Sequence, residues 1–299
     1  MPSYNFATKA SPKVQEAFYK ESITEGIFSK DYDWTGVATV RIYSVDDLPM
    51  QDYDWDKTDG SRFGTLTELG DTVQELTVNR DRSFNGSIDK RNNTSELLIK
   101  AAGKVLARQT RNVIVPEVDK YRLAAMAAGN GVTGFGGAGG GTIVYNVSLT
   151  KSGIIEHIMT QNAVMNNKLV PKKNRVLYIK ESEFIKCKLA DQVVGTGATV
   201  QDLAKKILVN GEFGTLDGLH IVPTPDSYMP SGVVYMIVTK GCAVAPKKIE
   251  TARIIQDHPD IDGHVVQGRM LYDCFVLSKK ADGILVATSA SGATGATGA

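Results

Sequence analysis

The alternation of apolar and polar residues predicts two strands joined by a long loop in the first third of the chain. Val37–Tyr43 and Thr72–Val78 are rich in β-branched residues, which is typical of strands. The 28 residues between them, 44–71, are polar, acidic and rich in turn formers. Such a long loop without its own core is usually functional, and a two-stranded ribbon alone is only marginally stable. We therefore expect the ribbon either to fold back on its own domain or to project and be held by a neighbouring molecule.

A repeat of three to four residues predicts a long helix over residues 93–128. An asparagine cap and a glutamate three residues later form a capping box at its start. Apolar residues recur on one face, while Arg108 and Arg111 lie on others. Pro116 is expected to kink the helix, because proline removes one backbone hydrogen bond and crowds the preceding turn. At ~1.5 Å per residue, about 35 residues would span about 50 Å, which indicates a strut.

The remaining patterns predict an α+β fold with a mixed sheet. An amphipathic helix over 11–22 carries Phe18 on its apolar face. Eight glycines fall within Gly129–Gly141 and predict a flexible connector. Further helices are expected over 150–170, 181–189 and 199–208, and strands over 175–179, 219–222, 233–238, 269–277 and 283–287. Residues 288–299 form a low-complexity tail.

The composition of the chain argues against several classes of protein. The chain has 299 residues, 42% hydrophobic, with a formal net charge of +1, which argues against wholesale disorder and against a dedicated nucleic-acid binder. No apolar run approaches the roughly 18 residues of a membrane span, and the start lacks the apolar core of a secretion signal. The three cysteines are far apart, so neither disulfides nor zinc are expected. We expect a soluble protein of a reducing compartment, with no membrane partner.

The sequence contains candidate binding sites for nucleotides and metals, but each lacks residues that such a site requires. The glycine cluster lacks the lysine of a phosphate-binding loop, and a helix rather than a strand precedes it. Asp52, Asp54 and Asp56 resemble the opening of a calcium loop, but Lys57 replaces the glycine and Phe63 the bidentate glutamate. An acidic loop that contacts a basic surface is the preferred interpretation.

Two other polar clusters also lack a recognisable chemistry. Residues 257–264 hold two histidines and three carboxylates but are typical of a turn between strands. His157, on the predicted 150–170 helix, is expected at the surface. The lysine-rich stretch 168–188 fits a solvated face, a nucleic-acid patch or a partner for the acidic loop, and the solvated face is preferred. No catalytic residue, cofactor or metal ligand is predicted.

Four stretches follow one another along the chain: Val113–Arg122, Asn167–Ile179, Gly214–Val222 and Asp262–Val276. Taken in this order they resemble a major capsid protein of tailed bacteriophages, whose shell fold is shared with herpesvirus capsid floors and encapsulins. Arg80–Phe84 is also similar to the family, and the resemblance covers roughly residues 28–287.

The resemblance implies an N-terminal arm, an extended β-ribbon loop, a long spine helix in a peripheral domain and an axial mixed-sheet domain. The implied ranges are 1–35 for the arm, 36–92 for the extended loop, 93–149 for the peripheral domain with spine helix and connector, 150–262 for the axial domain, 263–287 for return strands of the peripheral domain, and 288–299 for the tail. It further implies a non-enzymatic protein that assembles as hexamers and pentamers into an icosahedral shell around double-stranded DNA.

The implied location is the virion, after assembly in the bacterial cytoplasm. Implied partners are copies of the chain, a portal, non-specifically contacted DNA, an optional decoration protein and a scaffolding protein. A separate scaffolding protein is expected because the matching region begins within about 30 residues of the start. Alternatives are an encapsulin-type compartment, a nucleotide-binding α/β enzyme, and a decoration or tail-tube protein.

The resemblance also nominates residues for roles between and within subunits. Contact between subunits is expected at Phe18, Asp52, Asp54, Trp55, Asp56, Lys57, Arg62, Phe63, Arg108 and Arg111. Hinge roles are expected at Pro116, Gly129 and Gly141.

Overall fold

The computed structural model describes residues 21–32, 34, 39–90, 102–189, 215–256, 259 and 261–289. Within these residues helices and strands intermingle, so the fold is α+β, as predicted. The predicted arm helix with Phe18, the start of the long helix, the helix over 199–208 and most of the tail lie outside the described residues.

The elements follow in chain order. The strands are β1 (Thr39–Val45), β2 (Asp71–Thr77), β3 (Arg80–Asp89), β4 (Thr142–Val144), β5 (Arg175–Lys180), β6 (Thr215–Leu216), β7 (Leu219–Thr224), β8 (Val233–Thr239), β9 (Ala243–Val244), β10 (Lys247–Ile255), β11 (Gly263–Tyr272), β12 (Phe275–Val276) and β13 (Ile284–Thr288). The α-helices are α1 (Ala102–Gln109), α2 (Val115–Ala128), α3 (Ile154–Asn167) and α4 (Glu181–Lys188). A π-helical turn, Thr110–Ile114, joins α1 to α2, and a 3-10 turn, Ser278–Gly283, precedes β13.

A mixed six-stranded sheet forms the centre, in the order β4-β13-β8-β5-β7-β6. β7 runs parallel to β5 and β4 parallel to β13, while the other neighbours are antiparallel. One face packs against α3 and α4, in a core that includes Ile158, Phe184, Leu177 and Ile179. The other face packs against α2, in a core that includes Leu123, Met126, Tyr178 and Met236. Because side chains alternate between the faces of a strand, β5 contributes to both cores.

A second sheet has the order β10-β11-β3, and β11 pairs with β3 over its full length. The sequence pattern predicted neither β3 nor β10, because both are mostly polar. The predicted boundary between 262 and 263 separates β10 from β11, which pair with each other. The predicted return strands 263–287 are divided among three sheets: β11 belongs to this second sheet, β12 pairs with β9, and β13 pairs with β8 in the central sheet.

The predicted strut is helical from α1 to α2 and ends at Gly129, which has a φ of 66°. The ladder changes register at the π-helical turn, directly before Pro116, which occupies the first turn of α2. Proline has no backbone N–H, so it cannot donate the α-helical hydrogen bond to the carbonyl oxygen four residues earlier. The sequence therefore located the irregularity to within a few residues.

The glycine-rich segment 129–141 folds as a series of turns around Phe135. Gly129 and Gly141 both have positive φ, and a Cβ on either would collide with the Phe135 ring. The Nζ of Lys168 also donates to the Gly141 carbonyl oxygen at 2.8 Å. The close approach of the Phe135 ring explains why positions 129 and 141 are glycine. Their role as hinges stays a prediction.

Candidate protein-binding surface

The ribbon of β1 and β2 contacts its own domain along the paired strands, as far as Asp46 at the start of the connecting segment. The two strands pair from Thr39 opposite Thr77 to Val45 opposite Asp71. Their inward side chains join a small core under the ribbon, made of Trp34, Ile42, Leu76, Val78, Val244, Phe275 and Leu277. The ribbon therefore does fold onto its own domain at one end, while the other end extends from it.

Gln74 fixes the base of the ribbon. Its Nε2 donates to the carbonyl oxygens of Gly131 at 2.7 Å and Val276 at 2.9 Å, and its Oε1 accepts from the Ser278 N–H at 3.0 Å. Beside it, Asp46 and Lys279 form an ion pair at 2.5 Å. A hydrogen bond and the positive charge of Lys279 lower the pKa of Asp46.

The connecting segment, residues 46–70, is called the tip below, and its large apolar side chains face solvent. The exposed fractions are 99% for Met50, 75% for Trp55, 80% for Phe63 and 98% for Leu66. Monomeric proteins rarely expose contiguous apolar patches of this kind, and such patches mark sites of protein–protein contact.

A backbone hydrogen bond and a contact between aromatic rings join the two sides of the tip. The Asp54 N–H donates to the Arg62 carbonyl oxygen at 3.0 Å, which closes the end of the tip. This bond sets Tyr53 beside Phe63, with ring centroids 5.0 Å apart and an interplanar angle of 72°. The seven contact residues predicted between Asp52 and Phe63 therefore lie together and are exposed.

The tip is also strongly acidic. It and the adjoining Asp71 carry eight carboxylates, at positions 46, 47, 52, 54, 56, 59, 68 and 71, against Lys57 and Arg62. This segment thus has a net charge of −6, and since the whole chain is +1, the remainder is +7. All of these carboxylates except that of Asp46 are exposed, so they form an acidic surface. No group of side chains among the described residues is arranged to hold a metal ion.

Arg108 and Arg111, the other predicted contact residues, lie on the strut and not on the tip. Both side chains are exposed, Arg108 on α1 and Arg111 on the π-helical turn. Pro116, which follows them, is buried. The structure therefore separates the predicted contact residues into an acidic, aromatic group and a basic group.

A cluster around Arg80 joins the second sheet to the strut. The guanidinium of Arg80 lies 4.2 Å from the ring centroid of Tyr121 and donates to the Tyr272 hydroxyl at 3.0 Å. The Tyr121 hydroxyl donates to Asp273 at 2.6 Å. Burial, and to a lesser extent this bond, raises the pKa of Tyr121. The sequence could not reveal this cluster, because its members are far apart along the chain.

A second anchor holds residues 22–24 against the strut. Asp119 is fully buried and accepts hydrogen bonds from the Ser22 hydroxyl, the Ile23 N–H and the Thr24 hydroxyl at 2.7, 2.9 and 2.6 Å. Arg122 donates to the same threonine hydroxyl at 3.2 Å. The segment that precedes the ribbon therefore leaves the domain from a fixed point.

The other polar groups give no indication of catalysis. Burial raises the pKa of Cys187 and Cys274 to about 12 and that of Cys242 to about 11, which disfavours the nucleophilic thiolate. His157, expected at the surface, is half-buried with its ring 5.9 Å from that of Tyr235, and burial lowers its pKa.

The lysine-rich stretch 168–188 is partly occupied by contacts within the chain. Lys168 pairs with Asp282 at 2.7 Å and Lys186 with Glu183 at 2.8 Å. Lys172 and Lys173 are exposed. These contacts favour the interpretation as an ordinary surface. No helix of the described residues is long and apolar enough to cross a membrane.

The fold matches chains from bacteriophage particles over nearly its full length. A chain of Mycobacterium phage Che8 has a TM-score of 0.74 at 17% identity, with 96% of this chain and 99% of that chain covered. A chain from the capsid of Cyanophage P-SCSP1u gives 0.70 at 15%, covering 96% and 94%. One from the mature capsid of bacteriophage PhiM1 gives 0.71 at 9%, covering 95% and 91%. No family model and no curated protein matches the sequence.

Proposed function

We propose that this chain is the major capsid protein of a tailed bacteriophage and assembles as hexamers and pentamers into an icosahedral shell around double-stranded DNA. The observation that carries the proposal is the ribbon: its apolar and acidic tip is exposed in the described part of the subunit, on a fold shared with chains of phage capsids. The role is structural and non-enzymatic, and the location is the virion.

The parts take the roles that the family resemblance implies. Residues 1–35 form the arm, 36–92 the extended loop and 93–149 the peripheral domain with its spine helix. The pairing of strands modifies the remaining division: β10 and β11 form one sheet with β3, and we assign all three to the peripheral domain. β13 lies within the central sheet, and we assign it to the axial domain.

The distribution of charge favours a contact in which the acidic tip of one copy meets a different surface of the next copy. A segment of charge −6 on a chain whose remainder is +7 attracts the body of the next copy and repels another tip. Contacts of this head-to-tail kind generate closed rings when the rotation between copies closes. Apolar burial at about 25 cal/mol per Å² then accumulates over several modest contacts per subunit.

Further partners follow from the resemblance. They are a scaffolding protein, a portal, DNA contacted without sequence specificity and an optional decoration protein. No membrane partner is proposed.

Electron microscopy and sedimentation of the expressed protein, alone and with its scaffolding protein, test the proposal. Closed shells of uniform size are the expected result, and particles from infected cells should protect DNA from nuclease. Shells that hold an enzyme and no DNA would indicate an encapsulin-type compartment. A protein that stays monomeric at every concentration, with or without scaffold, would refute the proposal. A rise in melting temperature on adding nucleotide would favour an enzyme, and we expect none.

A further inference from the structure

Lysines from three separate segments of the chain meet at one end of the central sheet. β5 begins at this end with Arg175, which is paired with Thr239 at the end of β8. β13 also begins here, with Ile284 opposite Val238 of β8. The loops at these strand ends form a surface that we call the lysine end. Its lysines are Lys168, Lys172 and Lys173 before β5, Lys240 after β8, and Lys280 before β13.

A buried arginine holds the loop before β5 in place. The Nε and Nη2 atoms of Arg175 donate to the carbonyl oxygens of Pro171 at 2.9 Å and Val170 at 2.6 Å. The Lys240 N–H donates to the Asn174 carbonyl oxygen at 3.0 Å, which joins this loop to the end of β8. Because neighbouring strands lie about 4.8 Å apart, the lysines that adjoin β5 and β8 are held close together by the backbone.

Most of the positive charge at the lysine end is not neutralised by nearby carboxylates. The described loops of this end contain two carboxylates, and both are engaged. Asp282 pairs with Lys168 at 2.7 Å, and Asp217, in the turn before β7, accepts from the Asn162 amide at 2.8 Å. The remaining lysines are exposed, and no carboxylate of the described residues forms an ion pair with them; they are Lys172, Lys173, Lys240 and Lys280.

Unpaired lysines on a fixed surface suit a polyanion better than a protein partner. Lysine is a compact, strongly hydrated charge, and it is depleted from the cores of protein–protein interfaces, where arginine and aromatic residues are enriched. Duplex DNA carries one phosphate charge per about 1.7 Å of its axis, and lysines bind it without sequence preference by displacing its counterions. The stretch 168–188 alone has the character of an ordinary surface, but the fold adds Lys240 and Lys280 from other segments.

We propose that the lysine end binds the phosphate backbone of duplex DNA without sequence preference. This inference rests on the proposed function, because it names the surface of a shell subunit that contacts the packaged DNA. It also orients the subunit, since the end of the central sheet at which β5 begins then faces the interior of the shell. Four phosphate contacts per subunit give weak binding, and the many copies in a shell multiply it.

Binding of a short fluorescent DNA duplex to the unassembled full-length chain, measured as the salt concentration is varied, tests the surface. With four phosphate contacts, the logarithm of the binding constant should fall against the logarithm of the salt concentration with a slope of about −3.6. Lys173→Gln combined with Lys240→Gln should reduce that slope by about two and weaken binding by about tenfold or more at low salt. Duplexes of different sequence should bind equally.

Lys104→Gln combined with Lys151→Gln is the matched control, because it removes the same charge from exposed positions elsewhere. Lys104 lies on α1, and Lys151 precedes α3 at the end of that helix opposite Lys168. We expect both double variants to keep the melting temperature of the wild type and the control to keep its slope. Equal losses of slope in the two double variants would overturn the proposal, and so would a wild-type chain that does not bind the duplex.

Acetylation of lysines in particles needs no variant and decides the question if the double variant proves unstable. Particles from infected cells, and the same particles after release of their DNA, are treated with a small acetylating reagent and compared by mass spectrometry. The four unpaired lysines of the lysine end should react severalfold more slowly in filled particles, and Lys104 and Lys151 equally in both. Equal reactivity of the four lysines in filled and emptied particles, including protection in both by another copy, would overturn the proposal. A wild-type chain that forms no shells would instead refute the proposed function.

Discussion

Glu117 on α2 and Arg82 on β3 form an ion pair in which Oε1 accepts from Nε at 2.7 Å. The same carboxylate oxygen also accepts from Nη2 of Arg80 at 3.2 Å. Glu117 is therefore the one point at which two arginines of the second sheet are tied to the strut within this cluster. Because β3 follows β2 after two residues, this point also lies next to the base of the ribbon.

We expect Glu117→Gln to lower the free energy of unfolding by about 1–2 kcal/mol, because the partly buried Arg80 and the exposed Arg82 lose their shared counter-charge. Glu75→Gln is the control, since Glu75 and its partner Arg41 have side chains 54% and 63% exposed. An exposed pair of this kind contributes about 0.5 kcal/mol or less. Denaturant unfolding of the unassembled subunits measures both, and equal losses would contradict the role of Glu117.

Asp119→Asn should release residues 22–24 from the strut. The buried carboxylate accepts three hydrogen bonds, and an amide has one oxygen to offer and turns a donor toward the others. Breaking a buried charged network on one side costs about 3–5 kcal/mol. The control is Asp31→Asn, because Asp31 is exposed and bonds only locally to Ser29. Limited proteolysis should cut Asp119→Asn first within 21–29, and an unchanged cleavage pattern would rule out the anchor.

The sequence predicted the elements whose pattern is local. β8 is buried throughout and β5 lies between two helical layers. Because both faces of each strand are buried, their sequences are continuous apolar runs. The end of α2 follows from Gly129, whose left-handed conformation favours glycine. The contact residues predicted from Asp52 to Phe63 lie together because they are neighbours along the chain, and their contact with another subunit stays a prediction.

What the sequence missed depends on distant partners. β3 and β10 are mostly polar and become strands only because each pairs with β11. Gln74 bonds to a carbonyl 202 residues away, and Glu117 to Arg80 at a separation of 37. An isolated glutamine or glutamate in a polar stretch carries no signal of such a contact.

Protonation of His157 should make the folded protein less stable as the pH falls. Burial lowers its pKa below the ordinary 6.5, so the unfolded chain takes up the proton first as the pH falls. The free energy of unfolding therefore decreases as pH falls through 6.5 and levels off below the folded pKa. His157→Phe, which keeps a ring against Tyr235, should lose less stability between pH 7.5 and 5.5 than the wild type. His220→Gln, at an exposed site on β7, should behave as wild type, and identical pH profiles for all three would exclude His157.

Pro116→Ala tests the hinge prediction. Alanine restores an N–H, so the π-helical turn can return to the α-helical register without loss of the fold. We expect a change in stability within about 1 kcal/mol and an altered curvature or yield of shells. Gly103→Ala is the comparison: nothing lies within 4 Å of its position for a Cβ, and it should stabilise the helix by about 0.5–1 kcal/mol with unchanged shells. Normal shells from Pro116→Ala, seen by electron microscopy, would remove Pro116 from the mechanism.

The ribbon can be shortened without disturbing its base. Val45 and Asp71 are opposite each other in the register, so an Asn-Gly turn in place of residues 46–70 closes the hairpin with two residues. The tip side chains are exposed and the ion pair of Asp46 with Lys279 is at the surface, so little stability is lost. We expect a folded, soluble subunit, by circular dichroism and thermal unfolding, that forms no shells.

Asp217→Asn is the matched control for the replacement of residues 46–70 by an Asn-Gly turn. Asp217 and Gly218 form the turn between β6 and β7, with φ values of 48° and 79°, and the substitution gives that turn the same Asn-Gly sequence. Its shells should be normal in size and number. Normal shells from the shortened ribbon would show that the tip is dispensable, and a monomer that also fails to fold would place the tip in the core instead. Only a folded subunit that cannot assemble agrees with a tip that binds the next copy.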